Sequence, residues 1–152
     1  MEITLLAIGK CKDKAILALC DEYRKRLNPH WPTTITELAN KSGNMDAEKA
    51  LLEKYLAKQK SSYALLALDE KGKQHSSRGF AGEIQKLEGE GLAQIIILIG
   101  GADGLHPAIK GQARLCLSLS KLTLPHMLVR PIIMEQLYRA ATILAGHPYH
   151  RD

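Results

Sequence analysis

The chain has 152 residues, 45% of them hydrophobic and 24% charged, a balance that suits one domain with a single core and excludes a disordered or fibrous protein. Its most apolar run, Ile95–Ile99 with its glycine neighbour, is too short to span a bilayer, and the start lacks the pattern of a secretory signal. Three scattered cysteines (Cys11, Cys20, Cys116) without paired ligand spacing suit a reduced cytoplasm and argue against a disulfide framework or a zinc site. The formal charge of +5 is uneven, with +1 over residues 1–104 and +4 over 105–152, a segment that also holds four of the six histidines. Such a segment points either to an anionic partner, nucleic acid or a phosphorylated ligand, or to a solvated basic face.

Short β-like runs alternate with helical periods along the chain. Ile3–Gly9 reads as a strand. Ile16, Cys20, Tyr23 and Leu27 then form one apolar helical stripe, which stops near Asn28 because the residue before Pro29 is pushed out of the α region. Thr33–Ala39 reads as a strand, and a helix follows from about Asp46 to Lys60, capped by Asn44 or Asp46. Tyr63–Asp69 is a third strand, and the next helix starts near Ser76-Ser77 with Phe80, Ile84 and Leu87 inward. Gln94–Gly100, apolar on both faces, reads as a central strand covered by helices. Pro107 fits the first turn of a fourth helix. Leu115–Leu119 is a short fifth strand, and Pro131 fits the first turn of a fifth helix carrying Ile133, Leu137, Ala141 and Leu144. The alternation predicts one α/β domain over residues 1–152 with a mainly parallel sheet.

Ligands of open α/β sheets bind beyond the carboxyl ends of strands, and three such ends stand out. Gly100-Gly101-Ala102-Asp103-Gly104 lets a backbone approach a ligand and expose N–H groups, or is only a tight turn. It matches neither the P-loop nor the dinucleotide fingerprint. Leu119 to His126 mixes apolar side chains with peptide groups that no strand or helix satisfies, which suits a flat heterocycle read along its edge. Leu68-Asp69-Glu70 offers a base, a ribose ligand or a solvated turn. The tail His147-Pro148-Tyr149-His150-Arg151 gathers a stacking ring, a proton carrier and a phosphate-binding fork, or else docks on its own core.

Taken together, Leu5-Leu6-Ala7-Ile8-Gly9-Lys10, Leu98-Ile99-Gly100-Gly101 with Gly104-Leu105, Leu117 to Ser120 leading into Leu122-Thr123-Leu124-Pro125-His126, Glu135 to Ala140, and His147 to Arg151 resemble the RlmH family along the full chain. These are small SPOUT-class methyltransferases, also called YbeA-like proteins. The resemblance implies a SPOUT-type, mainly parallel sheet with flanking helices and a C-terminal trefoil knot. It further implies S-adenosylmethionine bound at that knot, a homodimer without metal or membrane, and methylation of the N(3) ring nitrogen of a pseudouridine in 23S ribosomal RNA on the assembled ribosome. By position, the cofactor contacts would be Leu68, Gly101, Ser120, Lys121, Leu122, Thr123, Leu124 and Pro125. His150 and Tyr149 are candidates to take the imino proton, with Arg151 stabilising charge on the base. The contrasting reading is a non-catalytic RNA- or nucleotide-binding α/β protein.

Overall fold

The computed structural model describes residues 1–40 and 43–151. Strands and helices alternate as β1 (Glu2–Ile8), α1 (Lys14–Leu27), β2 (Thr33–Leu38), α2 (Met45–Leu56), β3 (Tyr63–Gln74), α3 (Ser77–Gly89), β4 (Gln94–Ile99), α4 (Pro107–Lys110), β5 (Leu115–Ser118) and α5 (His126–Leu144). The sheet order is β2-β1-β4-β3-β5, and every strand pair is parallel. β4 lies at its centre, and Ile95–Ile99 are each at most 3% exposed, as its two-sided apolar pattern requires.

The two-residue period of the strands divides the core. Ile3, Leu5, Ala7, Ile95, Ile97 and Ile99 pack with Phe80 and Ile84 of α3 and with Ile133, Met134 and Leu137 of α5. Leu6, Ile8, Ile96 and Leu98 face the other way, onto Leu52 and Leu56 of α2 and Ile109 of α4. Helix starts follow local chemistry. Asp13, Asn44 and Ser76 each accept backbone N–H bonds at an N-cap, and Pro107 opens α4. Asn44 therefore caps α2, and Asp46 lies inside its first turn.

Three expected boundaries move. α2 ends at Leu56, short of Lys60, because Ala57 to Ser62 present nothing large and apolar to pack and an unpacked turn is marginal. β3 runs on to Gln74: it bulges outward after Leu68, then returns so that Lys73 pairs with Leu117 and Gln74 with Ser118. Gly72 passes so close to β5 that a Cβ there would lie 2.7 Å from the Cys116 oxygen, so only glycine fits the crossing. α5 starts at His126, which places Pro131 within the helix and not in its first turn. Pro131 is itself buried, and the core contacts of this segment outweigh the backbone bond its ring removes. Leu137 and Ala141 of the α5 stripe are buried within this single chain and belong to its core.

Just before that proline, Arg130 has only 1% of its surface exposed. Its guanidinium pairs with Glu37 of β2 and donates to the carbonyls of Ile8 and Gly9 at 3.2 and 2.7 Å, tying the first turns of α5 to the ends of β1 and β2. Arg130→Ala would leave Glu37 without its cation and two carbonyls without donors, a loss of about 3 kcal/mol in a urea-unfolding titration. Arg130→Lys is expected to recover little of it, since an ammonium lacks the planar fork that reaches all three acceptors.

Candidate functional site

At the carboxyl ends of β3, β4 and β5 lies a cleft of about 700 Å3. That is within the range of roughly 300–1,000 Å3 usual for small-molecule sites. Three chain segments wall it: 68–71 after the first half of β3, 99–105 after β4, and 117–126 between β5 and α5, with Met45, Pro107, Lys110 and Val129 completing it. Of the residues assigned to a cofactor from sequence, Leu68, Gly101, Ser120, Leu122, Thr123, Leu124 and Pro125 line this cleft. Lys121 belongs to the same loop but is exposed and outside the lining.

Three features give the cleft its chemistry. Ile99, Leu105, Leu117, Leu119, Leu124 and Val129 supply apolar walls. In the loop before α5, Ser120 Oγ accepts from the Leu122 N–H at 2.9 Å and the Pro125 carbonyl accepts from Leu128 and Val129. Among the described residues, the N–H groups of Thr123 and Leu124 have no partner within the chain. The loop thus offers free peptide donors beside apolar side chains, the arrangement a flat heterocycle with edge acceptors requires. Opposite lies Asp69, whose Oδ2 sits 2.6 Å from Lys110 Nζ and whose Oδ1 accepts from the Lys71 N–H at 2.8 Å. Burial opposes its ionisation, but the bonds from Lys110 and Lys71 outweigh burial and hold this carboxyl below the usual aspartate range.

The glycine segment forms a tight turn, one of the two readings its sequence allows. Gly101 N–H points inward to Glu48 Oε2 at 3.3 Å, and Gly104 N–H closes on the Gly101 carbonyl at 3.0 Å. Two of the N–H groups expected to face a ligand are therefore used within the fold. A Cβ on Gly101 would run into the Glu48 carboxylate. Glu48 was not singled out from sequence, although a signal existed: Glu48, Leu52 and Leu56 follow i, i+4, i+8, an acidic residue on a buried stripe.

The tail lies elsewhere on the molecule. Tyr149 meets the Tyr138 ring edge-on with centroids 4.7 Å apart, and its hydroxyl donates to Glu135 Oε1 at 3.1 Å. Arg139 stands 4.8 Å over the Tyr149 ring, and its Nη1 lies 3.2 Å from His150 Nδ1. Arginine has no lone pair, so in this contact Nδ1 is the acceptor. Burial, then hydrogen bonding with Tyr23 and the Glu135 charge, push the Tyr149 hydroxyl well above its ordinary pKa. None of Tyr149, His150 and Arg151 lines the cleft of its own chain. Glu135, Tyr138 and Arg139 as the tail's anchors were not foreseen. Among the described residues, no group of three or more metal-binding side chains occurs, and no helix is long and apolar enough to cross a membrane.

Comparison with known proteins agrees with this architecture. The family model described as "Predicted SPOUT methyltransferase" matches residues 1–150. The "Ribosomal RNA large subunit methyltransferase H" of Natranaerobius thermophilus is 40% identical over 158 residues, covering 99% of each chain. That of Brucella anthropi is 40% identical over 160 residues and covers 100% of both. Among solved structures, a probable methylase family protein from Haemophilus influenzae superposes with a TM-score of 0.60 at 12% identity, over 99% of this chain and 70% of that one. The SpoU methyltransferase AviRb of Streptomyces viridochromogenes gives 0.52 at 13% identity, over 96% and 61%. At those identities the structures speak for the fold alone. A parallel sheet whose strand ends enclose such a cleft is the architecture of a SPOUT-type methyltransferase. The chain belongs to the SPOUT methyltransferase family, in the group of large-subunit ribosomal RNA methyltransferase H proteins.

The Asp69–Lys110 pair gives the cleft wall an acid-labile element. Because the folded carboxyl titrates below its unfolded value, its stabilisation is complete above the unfolded pKa and disappears as pH falls through the lower, folded one. Asp69→Asn is therefore expected to cost about 1–2 kcal/mol at pH 7, the pair being partly exposed, and nothing once both proteins are fully protonated in acid. Thermal melts of both proteins from pH 7 down to pH 2.5 measure the convergence.

Proposed function

We propose that this chain is an S-adenosylmethionine-dependent methyltransferase of large-subunit ribosomal RNA, acting on the N(3) ring nitrogen of a pseudouridine in 23S RNA on the assembled ribosome. The observation that carries the reading is the 117–126 loop, whose unpartnered peptide donors and apolar side chains coincide with the positions assigned to the cofactor from sequence. The relatives' names supply the substrate class. The close approach of Gly72 to β5, just after the 68–71 segment that walls the cleft together with Leu119, Ser120 and Leu122 to Pro125, fits a chain threaded as a trefoil knot.

In the proposed reaction the bound cofactor supplies a methyl group on an electrophilic sulfonium. The chain's task is to hold that carbon in line with the ring nitrogen and to let the imino proton leave. The Thr123 and Leu124 N–H groups would hold the heterocycle's edge, and Leu68, Leu122 and Leu124 would supply apolar surface beside it. Such alignment supplies several kcal/mol of the barrier by making the encounter effectively unimolecular.

His150 is the proposed proton acceptor. Tyr149, whose hydroxyl is held protonated by burial and by its contacts with Tyr23 and Glu135, is the poorer base and more fitting as a stacking ring. Arg151, exposed at the end of the described chain, suits phosphate or a developing base anion. Because the tail docks on α5 away from its own cleft, we place it over the cleft of a second copy in a homodimer. A protein that acts on the ribosome in this way would work in the cytoplasm.

Titration calorimetry with S-adenosylmethionine is expected to show one site per chain, and no binding would favour the RNA- or nucleotide-binding protein instead. Methyl transfer is assayed on ribosomes lacking the modification, with mass spectrometry of the RNA locating the methyl group. Deleting residues 149–152 is expected to abolish transfer and leave cofactor affinity unchanged. His150→Ala lowers turnover, and raising pH restores part of it, because the imino proton is then lost to solvent. Normal transfer by the truncated protein would remove the tail from the mechanism. Light scattering showing a monomer at micromolar concentration would overturn the dimer.

A further inference from the structure

Glu48 is 8% exposed and belongs to neither the cleft lining nor the apolar core around it. It occupies a place on the inward stripe of α2 that Leu52 and Leu56 fill one and two turns later. Its Oε1 accepts from Asn40 Nδ2 at 2.9 Å and its Oε2 from the Gly101 N–H at 3.3 Å. Asn40 Oδ1 in turn accepts from the Gly43 N–H at 3.1 Å. Both donors to the carboxylate are neutral. A carboxylate taken out of water with neutral donors alone is a costly choice for a core position, and a leucine there would be cheaper.

What the carboxylate does is visible at Gly101. It binds the N–H of the first residue of the turn, and it fills the space into which a Cβ on that residue would project. The same residue's carbonyl accepts from Gly104, which closes the turn as an isolated bridge. Glu48 thereby fixes the inner side of a turn whose outer side, residues 100–104, walls the cleft. Asn40 ties this anchor to the end of β2.

We infer that Glu48 is a positioning residue for the cofactor cleft, acting through the Gly101 N–H to hold the 100–104 turn in its ligand-receiving shape. The inference rests on the reading that S-adenosylmethionine occupies this cleft. It also gives Gly101 a role of its own: a Cβ there would displace the Glu48 carboxylate that anchors the turn.

The test is calorimetric binding of S-adenosylmethionine and of its demethylated product to the full chain, with thermal melts in parallel. Glu48→Ala is expected to weaken both ligands alike by about tenfold, the scale of one hydrogen bond to a charged group. Glu48→Gln, which keeps an acceptor for Gly101, retains near-native affinity even where its melting temperature drops. Glu48→Asp, a methylene too short to reach, resembles the alanine variant and replaces it if that protein fails to fold. Gly101→Ala costs much in the native background and little in the Glu48→Ala background, because the methyl group's obstacle has been removed.

A folded Glu48→Ala protein that binds like the native one overturns the inference, as does a glutamine variant as weak as the alanine one. Additive costs for Glu48→Ala and Gly101→Ala also overturn it, since Gly101 would then be required by the ligand itself. If the unaltered protein binds no cofactor, the reading of the cleft fails and takes this inference with it. If it binds and the Glu48 variants do not differ, only the inference fails.

Discussion

A guanidinium buried at the start of α5 governs how this chain closes. Arg130 precedes Pro131, and the residue before a proline is biased away from helical geometry. Here that residue stays helical while its side chain satisfies the carbonyls of Ile8 and Gly9 and the carboxylate of Glu37. Glu37 in turn accepts from the Cys11 N–H at 2.9 Å, so the turn leading into α1 joins the same network. One cation thus gathers the ends of β1 and β2, the entry to α1 and the entry to α5. Such a group is a weak source of net stability, since dehydrating it offsets most of its attraction. What it provides is registry, because an apolar residue would have no preference for this one seat. The loop before α5, whose residues Leu122 to Pro125 line the cleft, is held at its far end by that seat.

The location of the cleft follows from the parallel sheet. Strands that all run one way bring their carboxyl ends, and the loops leaving them, to one edge. In this chain β3, β4 and β5 each leave that edge by an unusual route. β3 bulges and crosses β5 at Gly72, β4 closes its turn between Gly101 and Gly104, and β5 enters a loop with few internal bonds. None of these routes is the shortest connection. Each leaves peptide or carboxylate groups where only a ligand or a buried partner satisfies them, and the Asp69–Lys110 pair and Glu48 are two that found partners inside the protein.

Sequence and structure agree where a single local rule decides. The two-sided run Ile95–Ile99, the stripe ending at Leu27 and the helix start near Ser76-Ser77 needed no information from elsewhere in the chain, while the sequence narrows the cap of α2 only to Asn44 or Asp46. The extension of β3 was hidden because Glu70 to Gln74 is polar throughout and pairs only through a bulge set by distant β5. Pro131 misled for a related reason. Proline at a first turn is the local preference, and burial of the surrounding segment overrode it. The positions assigned to a cofactor came from the resemblance, and all of them but Lys121 line one cleft, which periodicity could not have shown. Arg130 and Glu48 carried a legible mark, a charge on a buried stripe beside Leu137 and Leu52, yet nothing in the sequence named the partners across the sheet.

On the proposed mechanism one chain is insufficient. The cleft opens at the amino-terminal end of α5, where His126 and Val129 line it, while the tail folds back onto Glu135, Tyr138 and Arg139. At a rise of about 1.5 Å per residue, the twelve positions from His126 to Tyr138 separate the two by about 18 Å along the helix. While Tyr149 is held by Tyr138, Glu135 and Arg139, the tail does not lie over its own cleft. A tail fixed on the flank of one subunit is well placed to overhang a neighbour packed against that flank. On the proposed reading the neighbour's cleft would then receive the tail with Tyr149 and His150 already held by α5. For His150 to take a proton, however, the Nδ1 that now faces Arg139 must be released or the ring must use its other nitrogen. On the proposed reading, arrival of the RNA is the event that supplies the competing partner, since Arg139 prefers phosphate to a neutral imidazole.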